Sequence, residues 1–228
     1  MKILIATTKS WNIANAHKFI ENSDHTCRLV CDNKLLTEEL LEEFNPELVF
    51  FPHWSWIIPA AIWQRYECIV FHMTDLPYGR GGSPLQNLII RGKKTTKICA
   101  IRVMEDIDSG PIYLKTDLDL SGSATEIYRA ASDKIFNTLI PTILSSRPVP
   151  VAQVGEVVNF TRRKPEESNI AELECIQQVY DYIRMLDAEG YPNAFVQLGN
   201  IRYEFSNGSI DGSEVRAEVR IKKVKVSQ

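Results

Sequence analysis

The chain has 228 residues, 44% hydrophobic and 24% charged, with a net charge of −3 and a pI near 5.9. This suits one soluble domain, or a domain with a small appendage, large enough to bury a proper core. It excludes a membrane span, because no stretch nears the ~20 apolar residues required, and the acidic balance argues against nucleic acid as a partner. Five cysteines, Cys27, Cys31, Cys68, Cys99 and Cys175, form no CxxC pair. They read as reduced core residues of a cytoplasmic protein, and no clustered Cys/His set points to a metal. The opening "MKILIATT" reads as a strand and is too short for a signal peptide.

In chain order, "KILIATT" is a buried strand, "SWNIANAHKFIEN" a helix and "TCRLVCD" a second strand. "LLTEELLEEFNPE" is an amphipathic helix that stops near Asn45-Pro46, since a residue preceding proline avoids the α region. "LVFFPHW" is a third strand, "IPAAIWQRY" a short helix and "ECIVFH" a fourth strand. This alternation predicts an α/β fold with a Rossmann-like, doubly wound, mostly parallel sheet. Chemistry in such sheets sits beyond the carboxyl ends of the strands, where His53 and His72 fall.

"SPLQNLIIRG" is a helix with Ser83 as N-cap, Pro84 at the first position and Gly92 at the end. "TKICAIRVM" and "PIYLKTDLDL" are strands, and "SATEIYRAASDKIFNTLIPTIL" is a long helix closing a domain over residues 1–145. "SSRPVPVAQVGE" reads as a linker. Residues 146–228 then form a small α+β module: a helix over "AELECIQQVYDYIRML", strands "AFVQLG", "IRYEFS" and "SEVRAEVRIKKVKV", and a hairpin turning at Asn207-Gly208.

Two segments stand out for chemistry. The first is "FHMTDLPYGRGGSPLQNLI". His72 ends an apolar strand, Gly79, Gly81 and Gly82 permit close backbone approach, and a helix start follows with free N–H groups. The second is "MEDIDSGPIY", with Glu105, Asp106 and Asp108 between two strands. Asp-Ser-Gly suits a solvated turn. Its functional reading is that Asp108 reaches back to His72, where a carboxylate orients an imidazole and steadies its cation.

"FHMTDLP", a glycine-rich loop and then "EDIDSG" resemble the formyltransferase family that uses 10-formyltetrahydrofolate. The resemblance covers roughly residues 1–145 and implies the formyltransferase fold. It implies His72 and Asp108 as catalytic residues, with Thr74 at the family's small hydroxyl position and Leu76-Pro77 as its dipeptide. The family's asparagine, two residues before the histidine, is replaced by Val70. Losing one oxyanion donor can cost about 10²–10³ in rate. Asn87, Gln86, His53 and Ser55 are the candidate replacements.

The implied reaction is direct transfer. A neutral primary amine attacks the formyl carbon on N10 of N10-formyltetrahydrofolate, and His72 takes the proton. The resemblance places the folate co-substrate against Trp56, Ile57, Ile58 and Pro59 and against Met104, Glu105, Asp106 and Ile107. It places the amine against Thr74, Tyr78, Arg80, Gly81, Gly82, Ser83 and Asn87, with no metal. "NFTRRKPEESNI" and "IRMLDAEGYPNAFVQLG" look like segments of sugar N-formyltransferases, which implies a nucleotide-linked 4-amino-4,6-dideoxy sugar as substrate and a role in glycan biosynthesis. The alternatives are a carrier-bound aminoacyl group, methionyl-tRNA, or a non-catalytic folate-binding relative. Against tRNA stand the short tail and the overall charge. The resemblance also implies a homodimer through a C-terminal hairpin.

Overall fold

The computed structural model of the protein describes residues 1–224. A six-stranded sheet has the order β2-β1-β3-β4-β6-β7. Its members are β1 (Lys2–Ala6), β2 (Thr26–Val30), β3 (Leu48–Phe51), β4 (Glu67–His72), β6 (Thr95–Arg102) and β7 (Ile112–Asp119). The neighbours from β2 to β4 pair in parallel, whereas β6 runs antiparallel to β4, with His72 opposite Cys99 and Ile69 opposite Arg102. The doubly wound, mostly parallel arrangement read from the sequence is therefore observed. Ile3, Leu4, Ile5, Phe50 and Phe51 are buried, because both faces of the sheet are covered. Burying each such side chain contributes about 1.5–3 kcal/mol.

Helices α1 (Ser10–Glu21), α2 (Glu38–Phe44) and α3 (Ala60–Trp63) connect these strands. Helix α2 starts later than its apolar pattern suggests. Asn33–Leu35 form a short 3₁₀ turn, and the Leu40 N–H donates to Thr37 Oγ1, so Thr37 is the cap. Its end is as expected, with Asn45 left-handed at φ 49. At the carboxyl ends of β1 and β3, the Thr7 hydroxyl and the Asn12 amide both donate to the Pro52 carbonyl, at 2.7 and 3.3 Å.

A short strand unforeseen from the sequence, β5 (Tyr78–Gly81), follows β4, and α4 (Pro84–Ile90) comes after it. Ser83 precedes α4 as expected but does not cap it. It is left-handed at φ 50, and its hydroxyl accepts from the Arg163 N–H instead. The long helix is interrupted. Helices α5 (Ala124–Lys134) and α6 (Ile140–Ser146) flank a π-turn at Ile135–Leu139. Pro141 has no N–H to return to the preceding turn, and a widened turn accommodates that loss. A last short strand, β8 (Val158–Phe160), precedes the C-terminal elements.

The chain forms two compact units: Met1–Gly81, Thr96–Leu118 and Tyr128–Asn159; and Gly82–Thr95, Asp119–Ile127 and the chain from Phe160 onward. The second holds α7 (Ile176–Arg184) and an antiparallel sheet of β9 (Ala194–Leu198), β10 (Ile201–Asp211) and β11 (Glu214–Lys223). Helix α7 is shorter than its pattern, because Asn169 takes the Ala171 N–H in a turn before it. Asn207-Gly208 is not the hairpin turn. Strand β10 continues through it as a bulge, the Asn207 N–H donating to Asp187 Oδ2 at 2.7 Å. The chain reverses instead at Asp211–Glu214, around Gly212 at φ 56. The final residues of the expected last strand, Lys225 and Val226, lie outside the described residues. The buried Arg184 ties this unit together, donating to Asp181 at 2.6 Å and to the carbonyls of Leu120 and Gly122. No helix among the described residues is long and apolar enough to cross a membrane.

Candidate active site

Strand β4 carries His72 to the carboxyl edge of the sheet. Because β6 is antiparallel, its far end lies beside Ile69, and the turn after it brings Asp108 back to His72. Asp108 Oδ2 stands 3.3 Å from His72 Nδ1, with both side chains largely buried. His72 Nε2 faces the Gly79 carbonyl at 2.7 Å, and Thr74 Oγ1 donates to the same oxygen at 3.2 Å. Both ring nitrogens thus face oxygen acceptors. The Asp108 carboxylate also accepts the Gly81 N–H at 2.9 Å. Gly79 and Gly81 adopt φ of 82° and 102°, which explains glycine at those two places. Asp108 is itself left-handed at φ 54, an uncommon state for a residue with a side chain.

Arg80 donates from Nε and one terminal nitrogen to Gln153 Oε1, at 3.1 and 2.8 Å. Gln153 Nε2 donates in turn to the carbonyls of Asp108 and Gly110, at 2.7 and 2.9 Å. The sequence reading missed Gln153, because it lies in a Ser/Pro/Gly-rich stretch read as a linker. Its one available signal was an amide isolated among valines.

The residues expected around the folate lie on two segments of the first unit. Trp56 and Ile57 are exposed, Ile57 at 74%, and Trp56 packs on Trp54 with ring centroids 5.0 Å apart. Pro59 is exposed, while Ile58 is buried in the apolar cluster with Phe51 and Cys68. Met104, Glu105, Asp106 and Ile107 are exposed, and the Ser109 hydroxyl donates to the Asp106 carbonyl to shape the turn. Tyr78 is half-buried on β5. In the second unit, Gly82 lies so close to Arg162 that a Cβ there would sit 2.6 Å from the arginine Cβ. Asn87 spends its amide on the carbonyls of Gly82, Ser83 and Thr161, and Gln86 Nε2 donates to the Met185 carbonyl. Those bonds give both amides a loop-holding task. Ser55 is exposed.

His53, at φ 50, packs edge-on against Tyr128 at 4.6 Å and beside Trp11 at 5.7 Å. Burial first, and the Lys9 charge second, push its imidazole well below the usual histidine range. A histidine held neutral by the fold stabilises it above the unfolded pKa of ~6.5, and that stability drains as the pH falls below it. Wild type is therefore expected to lose more stability than His53→Gln between pH 7 and 4.5, by a margin on the order of 1 kcal/mol, in urea unfolding. Equal losses would refute this. The Cys68 and Cys99 thiols are pushed up to about 12 and about 11 by burial, so neither offers a thiolate near neutral pH. Among the described residues no cluster of three or more His, Cys, Asp or Glu could hold a metal.

Comparison with known proteins bears on this site. A family model described as "Formyl transferase" matches residues 8–140, and one described as "Methionyl-tRNA formyltransferase, C-terminal domain" matches residues 165–222. A solved structure, methionyl-tRNA formyltransferase from Clostridium thermocellum, is 54% identical with a TM-score of 0.96, covering 98% of this chain and 99% of that one. Methionyl-tRNA formyltransferase of Rickettsia canadensis is 30% identical over 132 residues, 56% of this chain and 44% of that protein. The chain thus spans less than half the length of that relative. A sugar N-formyltransferase from Shewanella is 15% identical with a TM-score of 0.70, covering 100% of this chain and 99% of that one, a likeness of fold alone. The nucleotide-sugar substrate and the glycan role are thereby overturned, since the 54% match is to a methionyl-tRNA enzyme. The expectation against nucleic acid falls with them. It rested on the short tail and on net charge summed over the whole chain, yet residues 165–222 match that enzyme's C-terminal domain model, and summed charge says little about a local contact surface.

Proposed function

Since the chain belongs to the formyl transferase family, we propose that it transfers a formyl group from N10-formyltetrahydrofolate to the α-amino group of methionyl-tRNA. The observation that carries this is the 54% identity, along nearly the whole chain, with a methionyl-tRNA formyltransferase. The neutral amine attacks the formyl carbon and forms the new C–N bond while electrons move onto the formyl oxygen. The amine proton leaves to His72, the C–N10 bond breaks, and the proton passes to N10. For this, His72 Nε2 exchanges the Gly79 carbonyl for the reacting amine. Asp108 holds the ring and offsets its charge. The exposed apolar groups of Trp56, Ile57, Met104 and Ile107 suit the flat face of a pterin. Arg80 and Tyr78 would border the amine, whereas Thr74 is fully buried and spends its hydroxyl on the Gly79 carbonyl. The free cysteines accord with a cytoplasmic setting.

The test supplies N10-formyltetrahydrofolate and charged initiator tRNA and reads formylmethionine by mass. Product formation that weakens as salt rises from 50 to 200 mM is expected, because neutralising tRNA phosphates releases counterions. Absence of formylmethionine would sink the proposal. Retained folate binding without product would favour a second reading, a non-catalytic folate binder, for which Val70 in place of the family asparagine is the motivating observation.

A further inference from the structure

The segment between α6 and β8 is pinned at both ends. Val151 exchanges two backbone hydrogen bonds with Ile112, at 2.8 and 2.9 Å, and the Val158 N–H donates to the Pro77 carbonyl at 3.3 Å. Between these anchors nearly every residue is exposed, Val154 at 88%, but Gln153 turns inward. An exposed strap that turns one half-buried polar side chain inward does so for that side chain's contacts.

From this geometry we infer that Gln153 is a positioning residue of the active site, acting on the His72–Asp108 pair and on Arg80 at once. Its amide is used from both ends. The Nε2 group donates to the carbonyls of Asp108 and Gly110, which bracket the turn presenting the carboxylate to His72. Asp108 sits in the left-handed state at φ 54, uncommon for a residue with a side chain, and these bonds brace the turn around it. The Oε1 atom accepts two N–H groups of Arg80, fixing the guanidinium plane and leaving its other edge for an anionic oxygen. That oxygen is either a phosphodiester of the tRNA or a carboxylate of the folate tail. Only an amide both donates to the carbonyls and accepts from the arginine, so either charged substitute keeps one half of the arrangement.

That asymmetry supplies the experiment, whose kinetic half rests on the formyl-transfer reading. Gln153→Glu keeps an acceptor for Arg80 but sets a carboxylate against two carbonyls. It should lower kcat roughly 10- to 100-fold, the cost of a small misplacement of catalytic groups, with KM little changed. Gln153→Lys keeps the donations but repels Arg80, so its loss should fall chiefly on KM. Whether the KM for tRNA or for the folate rises identifies the anion. A readout without turnover accompanies this: the downfield ring N–H resonance of His72, assigned by its loss in His72→Ala. It should persist in wild type and Gln153→Lys and broaden or vanish in Gln153→Glu. Equal kcat in Gln153→Glu and wild type would overturn the inference. So would equal losses in both variants that track a shared drop in Tm, since that marks a purely structural role. If wild type transfers no formyl group, the functional reading fails, and the resonance alone decides on Gln153.

Discussion

Replacing His72 with alanine is expected to lower the rate of formyl transfer by about 10²–10⁴, the range removed with a positioned acid–base group. The amine must lose a proton as it attacks, and N10 must gain one as it leaves. His72 is the one titratable side chain that β4 delivers to the sheet edge with a carboxylate 3.3 Å away. Cys68 and Cys99 are no substitutes, being held as thiols by burial. Asp108→Asn is expected to fall nearly as far, because an amide in that place keeps the size but loses the charge that steadies the protonated ring. In a serine-protease triad the comparable change costs about 10⁴. Asp108→Asn also disturbs the bond to the Gly81 N–H, so the glycine loop should loosen with it. Single-turnover rates under saturating substrate, for both variants and wild type, check this. A loss below tenfold in His72→Ala would remove the residue from the chemistry.

Gly110→Ala is expected to destabilise the protein by more than about 3 kcal/mol, in the tail of single-substitution effects. A Cβ at Gly110 would lie 1.7 Å from the Arg102 carbonyl oxygen and 2.9 Å from its carbon. Backbone cannot yield there, because the Arg102 N–H is bonded to the Pro111 carbonyl and the Arg102 residue pairs with Ile69 in the sheet. The whole turn carrying Asp108 would have to move, so activity should fall with stability. Gly92→Ala separates the two causes. Gly92 is left-handed at φ 68 with nothing within 4 Å of its Cβ position, so only the conformational cost of about 1–2 kcal/mol applies. Urea unfolding of the two variants should rank them accordingly. Gly110→Ala within 1 kcal/mol of wild type would refute the steric account.

The sequence by itself determined the alternation of strand and helix from β1 to β4, the place of His72 at a strand end and the formyltransferase motifs. Each of these is local. An apolar run or a capping residue is written within a few positions, because burial and hydrogen bonding inside one element set the pattern. Tertiary structure decided the rest. That Asp108 meets His72 depends on β6 running antiparallel beside β4, a matter of sheet order that no local window contains. Gln153 looked like linker because its partners, Arg80, Asp108 and Gly110, are all remote in sequence. Asn207-Gly208 carries turn chemistry, yet Asp187 and the close approach of Ile183 turn it into a bulge, and the hairpin closes at Gly212. Summed charge misdirected the expectation against nucleic acid for the same reason. Composition averages over all residues, whereas a partner meets only those that the fold gathers on one surface.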